Sequence, residues 1–420
     1  MAEPLRLRTA NDKPCRPLDG DFLTTVLVEV APARRMRRLP LNLALLLDTS
    51  ESMQGEKLNQ ARASVLGLLE RLMPEDLVTL VSFSSAATTH LRAQPAGEDA
   101  LHRAQNALAG LKAEGVTQLL RGLDATMAEL RRNAGPDRSS FLLLLSDGYP
   151  TTNQGYMDAV HEPYLLRVDR EMRDRGVSLS TIGLGDAANY DQAFLRRLAD
   201  KGNGQFYYCQ SPAQLAQEFG RELSRIQRTV VSDVQLGVHH LAGTLRRLWR
   251  VFPDKKLFDT PTVTDGEFTV PLGSLQDEQP QAYLLDIVTR ARPAGRERLF
   301  EVEARWRAEG HENCVATPVV LEWTDDARAL AQRNQEVVRL AAECLDALLE
   351  EELEEAVSSG SVAKQTSVLA RKKQLTSRLG KVEATQVLEE MEEALAAGEA
   401  ISQDALARSS QHTKPTQRLG

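Results

Sequence analysis

The chain of 420 residues contains only four cysteines, Cys15, Cys209, Cys314 and Cys344, and no two of them form a CxxC pair. Thiols so few and so far apart predict reduced side chains rather than a disulfide framework. The seven histidines show no HExxH or similar ligand spacing, which removes the usual zinc-hydrolase signature. No GxSxG nucleophile elbow and no P-loop lysine motif occurs, so catalysis has no candidate constellation and no enzyme activity is expected. Apolar runs stay far below the ~20 residues that a membrane helix needs. The start, Met-Ala-Glu-Pro-Leu-Arg, lacks the basic flank and apolar stretch of a secretory leader, so a cytoplasmic location is expected. Positive charge is not in excess either. Fifty-one Lys and Arg against 59 Asp and Glu leave −8 at pH 7, which argues against nucleic acid as a partner.

What remains is ordinary globular material, 42% apolar and 26% charged, long enough for two or three domains. Residues 1–39 read as N-terminal strands, of which Phe22–Val30 is the clearest. Over residues 40–228 apolar strands alternate with helical spacings. Leu41–Asp48, Leu77–Phe83, Ser140–Ser146, Gly176–Gly183 and Gly204–Cys209 are the strands, and Lys57–Met73, Ala100–Leu111, Gln118–Arg132, Tyr190–Asp200 and Pro212–Arg228 are helices. Such alternation predicts βαβ units and a doubly wound, mainly parallel, Rossmann-like α/β sheet. Residues 229–324 carry short alternating runs between turn residues, the pattern of an antiparallel β-sandwich. The N-terminal strands have no place in a parallel sheet and are expected to complete that sandwich. Residues 325–400 are helical, predicted as Asp325–Val357, Val362–Leu379 and Val382–Ala397. Acidic residues over 343–355 and basic ones over 364–381 predict a solvated, self-pairing helical tail. Residues 401–420 are expected to be disordered.

The richest segment is Leu-Ala-Leu-Leu-Leu-Asp-Thr-Ser-Glu-Ser, residues 43–52. Its apolar half fits a strand buried on both faces. Asp48 then lies at the carboxyl end of that strand, where open α/β sheets bind ligands. Asp48, Ser50 and Ser52, at alternate positions, offer hard oxygen donors to a small hard cation such as Mg²⁺. Gly115-Val116-Thr117 stands in a loop before a helix, and Ser146-Asp147-Gly148 ends the second fully apolar strand. Both belong at the same sheet edge.

This ordered set, Asp48, Ser50, Ser52, Thr117 and Asp147, resembles the von Willebrand factor A domain and its metal-ion-dependent adhesion site over about residues 40–228. The whole layout is similar to inter-alpha-trypsin inhibitor heavy chains and bacterial calcium-activated chloride channel homologues. The resemblance implies that Ser50 and Ser52 ligate Mg²⁺ directly, with Mn²⁺ or Ca²⁺ as substitutes. It implies that Thr117 does so when a ligand is bound, and that Asp48 and Asp147 act directly or through water. Neutral hydroxyls leave the cation under-neutralised, so a protein partner's Asp or Glu would complete the octahedron. Glu51, Tyr149, Thr151 and Asn153 are expected at the rim. Glu51 departs from the family, where Gly is usual, and Val116 replaces a common Gly.

The expected function is therefore an intracellular protein-binding scaffold that captures an acidic side chain through bound metal. The alternative is an adaptor for an AAA+ ATPase or a kinase/phosphatase system, acting through its helical tail. A plain structural reading of Asp48 as a helix cap with turn serines loses ground once Thr117 and Asp147 are counted. A phosphatase of the haloacid dehalogenase type needs a second Asp where Ser50 stands, and Gly183-Leu-Gly185 lacks the third Gly of a dinucleotide loop. The terminal Thr413-Lys-Pro-Thr416 offers hydroxyls to a phospho-dependent partner, although a frayed terminus is the simpler reading.

Overall fold

The computed structural model describes residues 4–135, 137–147, 149–151, 161–185, 192–308, 311–402, 405–406 and 408–409. Three strands come first, β1 (Leu5–Asn11), β2 (Cys15–Arg16) and β3 (Asp21–Pro32). An alternating stretch follows: β4 (Leu41–Asp48), α1 (Glu56–Leu69), β5 (Leu77–Phe83), β6 (Ala87–Pro95), α2 (Glu98–Ala109), α3 (Leu119–Arg132), β7 (Ser139–Ser146), α4 (Glu162–Arg175), β8 (Ser178–Leu184), α5 (Gln192–Lys201), β9 (Asn203–Cys209) and α6 (Leu215–Ile226). Strands then return as β10 (Thr229–His239), β11 (Thr244–Phe252), β12 (Lys256–Leu257), β13 (Phe268–Gln276), β14 (Gln281–Arg290), β15 (Gly295–Ala308) and β16 (His311–Trp323). Helices α7 (Ala327–Ala331), α8 (Gln335–Ser358), α9 (Val362–Arg378) and α10 (Val382–Ala396) close the described chain.

The central sheet runs β6-β5-β4-β7-β8-β9, parallel except for the edge strand β6. Period-two alternation divides β4 between two cores. Leu41, Leu43, Leu45 and Leu47 meet α1, α2 and α6, while Ala44 and Leu46 meet α3, α4 and α5. Both faces are therefore buried, which is why β4 and β7 read as unbroken apolar runs. From β4 the chain passes to β5 on one side and later returns to β7 on the other. The carboxyl ends of β4 and β7 thus flank a topological switch point, where a ligand crevice opens.

Two antiparallel five-stranded sheets, β1-β3-β14-β11-β12 and β13-β10-β15-β16-β2, face one another across a second core. The N-terminal strands divide between them. β1 and β3 enter the first sheet, whereas β2 pairs with β16 in the second, in parallel. Polar contacts join this sandwich to the central sheet. Asn203 Nδ2 donates to the Leu272 carbonyl at 2.6 Å and Gln205 Nε2 to Asp254 Oδ2 at 3.2 Å.

Three expectations need correction. The helix predicted over Asp325–Val357 breaks between α7 and α8, where Asn334 caps α8 by accepting from the amides of Glu336 and Val337. That break aims α8 across the outer face of the first sandwich sheet. Val337, Leu340 and Cys344 pack there on Leu27, Trp249, Val251 and Leu284. The helical charges do pair with each other, but not all in solvent: Asp346, Glu350 and Lys372 are buried. The chain beyond residue 400 is not uniformly a loose tail. Ile401, Ala405 and Leu406 join the apolar core of α8, α9 and α10, and Ser409 is buried as well. Thr413 and Thr416, the proposed phospho-dependent contact, lie outside the described residues. Strands β6 and β11 have no counterpart in the sequence reading.

Candidate metal-binding site

Strand β4 delivers Asp48 to the sheet edge, and the chain turns there. Thr49 ties the turn to the neighbouring strand end, its amide donating to the Phe83 carbonyl at 2.8 Å and its hydroxyl to the same oxygen at 3.1 Å. A single 3₁₀ turn over Glu51–Met53 follows, pinned by Met53, which is fully buried in the core beneath. Gly55, at φ +75°, reverses the chain into α1, a conformation that costs glycine nothing. The second loop is clasped to the first. Glu114 N donates to the Thr49 carbonyl at 2.9 Å, and Glu51 N donates to that of Gly115 at 3.0 Å. Gly115 takes φ +79°, a conformation that other residues rarely adopt, and a Cβ there would crowd the Ser85 side chain on the turn between β5 and β6.

Within this frame four of the expected ligands form one hydrogen-bonded chain. Asp48 Oδ1 accepts from Ser50 N at 2.8 Å, and Ser50 Oγ lies 3.1 Å from Ser52 Oγ. Ser52 Oγ donates to Asp147 Oδ1 at 2.7 Å. Asp147 sits just past β7, one residue beyond Ser146, which follows the Leu47–Leu145 pair in the β4–β7 register. Thr117 is buried at the adjacent loop, and its carbonyl accepts from Thr151 N at 2.9 Å. Its side chain is not part of the chain that links the other four. Glu51 is exposed, and Tyr149 and Thr151 are half-buried. Asn153 lies outside the described residues.

Two residues that the sequence reading did not assign to the site complete it. Ser146 Oγ donates to Asp48 Oδ2 at 2.6 Å. Lys57, early in α1, reaches back so that its Nζ contacts Asp147 Oδ2 and lies 3.2 Å from the Ser52 carbonyl. The signal for Lys57 was a basic residue five positions after Ser52, visible only once Gly55 is known to fold α1 back on the loop.

Asp48 and Asp147 are almost wholly withdrawn from solvent, at 0% and 1% exposure. Burial, and then the charge of Asp147, push the Asp48 carboxyl up to about 6, against hydrogen bonds from Ser146 and Ser50 that pull it down. Two carboxylates and one lysine leave an excess negative charge in a low-dielectric site, an arrangement that a divalent cation would relieve. Among the described residues no three His, Cys, Asp or Glu side chains cluster to hold a metal. The donors at the sheet edge are instead two carboxylates and hydroxyls, a hard-oxygen set. Ligand oxygens on neighbouring corners of a Mg²⁺ octahedron lie ~2.9 Å apart, given bonds of about 2.0–2.1 Å. The oxygens of Ser50, Ser52 and Asp147 already stand at 3.1 and 2.7 Å, so the residues present fit such an ion.

Comparison with known proteins agrees with this architecture. The von Willebrand factor type A domain profile matches residues 42–221. An uncharacterized Synechocystis protein is 28% identical over 293 residues, 68% of this chain and 66% of its own length. Bovine inter-alpha-trypsin inhibitor heavy chain H4 is 26% identical over 261 residues, 59% of this chain but only 26% of that protein. The match thus leaves much of these relatives' length uncovered. A solved von Willebrand factor type A structure from Catenulispora acidiphila superposes with a TM-score of 0.79, covering 99% of this chain and 97% of that one. At 17% identity that likeness shows a shared fold alone. Residues 42–221 are a von Willebrand factor type A domain, set between antiparallel sheets and a C-terminal helical region.

Proposed function

We propose that this protein is a non-enzymatic, intracellular binding protein that captures an acidic side chain of a protein partner through Mg²⁺ held by Asp48, Ser50, Ser52, Thr117 and Asp147. Domains of this type are commonly involved in protein–protein interaction. The observation that carries the reading is the chain from Ser50 Oγ through Ser52 Oγ to Asp147 Oδ1, laid over the buried Asp48. A bound Mg²⁺ supplies a position that these few charges do not saturate, which an outside carboxylate can fill. The protein residues do the remaining work. Asp48 orients the loop through Ser50 N, the hydroxyls present oxygen to the mouth, and Glu51 restricts access to acidic groups that approach clear of its own charge.

The helical region does not favour the adaptor reading. Several of its charges are engaged in internal pairs, Arg371 with Glu352, Lys373 with Glu392, and Lys372 and Lys381 with Asp346, and α8 covers the sandwich face bearing Leu27 and Trp249. Deleting it would strip that face and confound any loss of binding, so a point variant is the better probe. Partner capture from native lysate is expected with Mg²⁺ and lost both in EDTA and in Asp48→Asn. Capture by the variant at the wild-type level would reject the metal-bridged reading.

A further inference from the structure

Of the two buried carboxylates, Asp147 is paired with Lys57, and no cation is paired with Asp48 among the described residues. The Lys57 side chain is 28% exposed and runs beside the end of β8, where a Cβ on Gly185 would lie 3.6 Å from Nζ. Together with Ser52 Oγ, which takes Asp147 Oδ1, its ammonium accounts for both oxygens of Asp147. A divalent ion drawing on Asp147 would therefore meet a positive charge already seated there. Two cations sharing one carboxylate in a desolvated site repel strongly.

We propose that Lys57 is a tethered cation that holds the metal-free site together and is displaced when a divalent metal binds, thereby setting the site's metal affinity. This inference rests on the metal-binding reading above. The lysine compensates Asp147 when no metal is present, which keeps two adjacent buried carboxylates compatible with folding. Metal entry must replace that contact, and the lost ion pair subtracts from the binding free energy. Because Lys57 lies only five residues beyond Ser52, in the first turn of α1, its release needs no movement of the sheet, only rotation of a long side chain toward solvent.

The test uses the full chain, MgCl₂ titrated by calorimetry, and thermal melting in EDTA and in Mg²⁺. Lys57→Met is expected to bind Mg²⁺ tighter by roughly tenfold or more. It is also expected to melt below wild type in EDTA and to gain more than wild type when Mg²⁺ is added. Arg62→Gln removes the same charge from the same helix without touching Asp147, and its affinity is expected to stay within about twofold of wild type. If Lys57→Met binds no tighter than wild type, or if Arg62→Gln tightens binding equally, displacement is wrong although the site stands. If wild type and Asp48→Asn bind Mg²⁺ alike, the metal-binding reading itself fails.

Discussion

Two buried charge clusters in this protein differ in how completely they are neutralised. In the helical region, Lys372 sits between Asp346 and Glu350, with Glu350 Oε2 3.0 Å away, and Lys381 reaches Asp346 Oδ2 at 2.7 Å. Two acids meet two bases. Burial pushes the Asp346 carboxyl up, but the two lysines outweigh it and hold it below its ordinary value. At the sheet edge two buried carboxylates, Asp48 and Asp147, share a site with a single, partly exposed lysine, which contacts Asp147 alone. There burial and the second carboxylate win, and Asp48 rises to about 6. A balanced cluster fixes how α8 and α9 pack. The unbalanced one, at a topological switch point, carries the excess negative charge on which the proposed cation site rests.

The comparison can be broken by single substitutions. The largest effect is expected from Lys372→Met, which leaves Asp346 and Glu350 buried without their shared base. Removing one partner of a buried network costs about 3–5 kcal/mol, read as a lower urea midpoint. A loss below about 1 kcal/mol would show that the helical cluster is not a structural pivot.

Asp48→Asn should act in the opposite direction in EDTA. The folded carboxyl titrates near 6 against an ordinary 3.8, so the folded state holds the proton more tightly. Wild type therefore loses stability as pH rises from about 4 to about 6, and the penalty is complete above that. At ~1.4 kcal/mol per unit the variant gains up to about 3 kcal/mol at neutral pH and much less near pH 4. Urea denaturation at both pH values checks this, and a difference that does not change with pH would contradict the assigned charge imbalance.

The smallest effect is expected from Ser409→Ala. Its hydroxyl donates to Glu350 Oε2 at 2.7 Å in a buried setting, and losing one such donor costs about 1–3 kcal/mol. No change in the urea midpoint would mean that the chain end does not contribute to the helical cluster.

The comparison also shows what was legible. Strand ends carried the site, because an apolar run stopping on Asp48 and another on Ser146-Asp147 are local patterns that survive folding unchanged. Strand β6, by contrast, is polar enough at Thr88, Thr89, His90 and Arg92 to look like loop. An edge strand with one face toward solvent lacks the apolar run that marks β4. The alternating sandwich pattern was readable, but β3 is buried on both faces over Thr24–Ala31 and β14 over Gln281–Leu285, where α8 covers the face that an isolated sandwich leaves wet.

By itself the sequence determined the doubly wound sheet, since apolar strands alternating with amphipathic helices have few other ways to bury both faces. It also determined the order of the oxygen donors at the sheet's edge. Only the tertiary structure decided which charges meet. Lys57 joins Asp147 across 90 residues of sequence, and Lys372 joins Asp346 across 26. Such pairings depend on where a loop reverses and how helices cross, quantities set by packing rather than by local residue pattern.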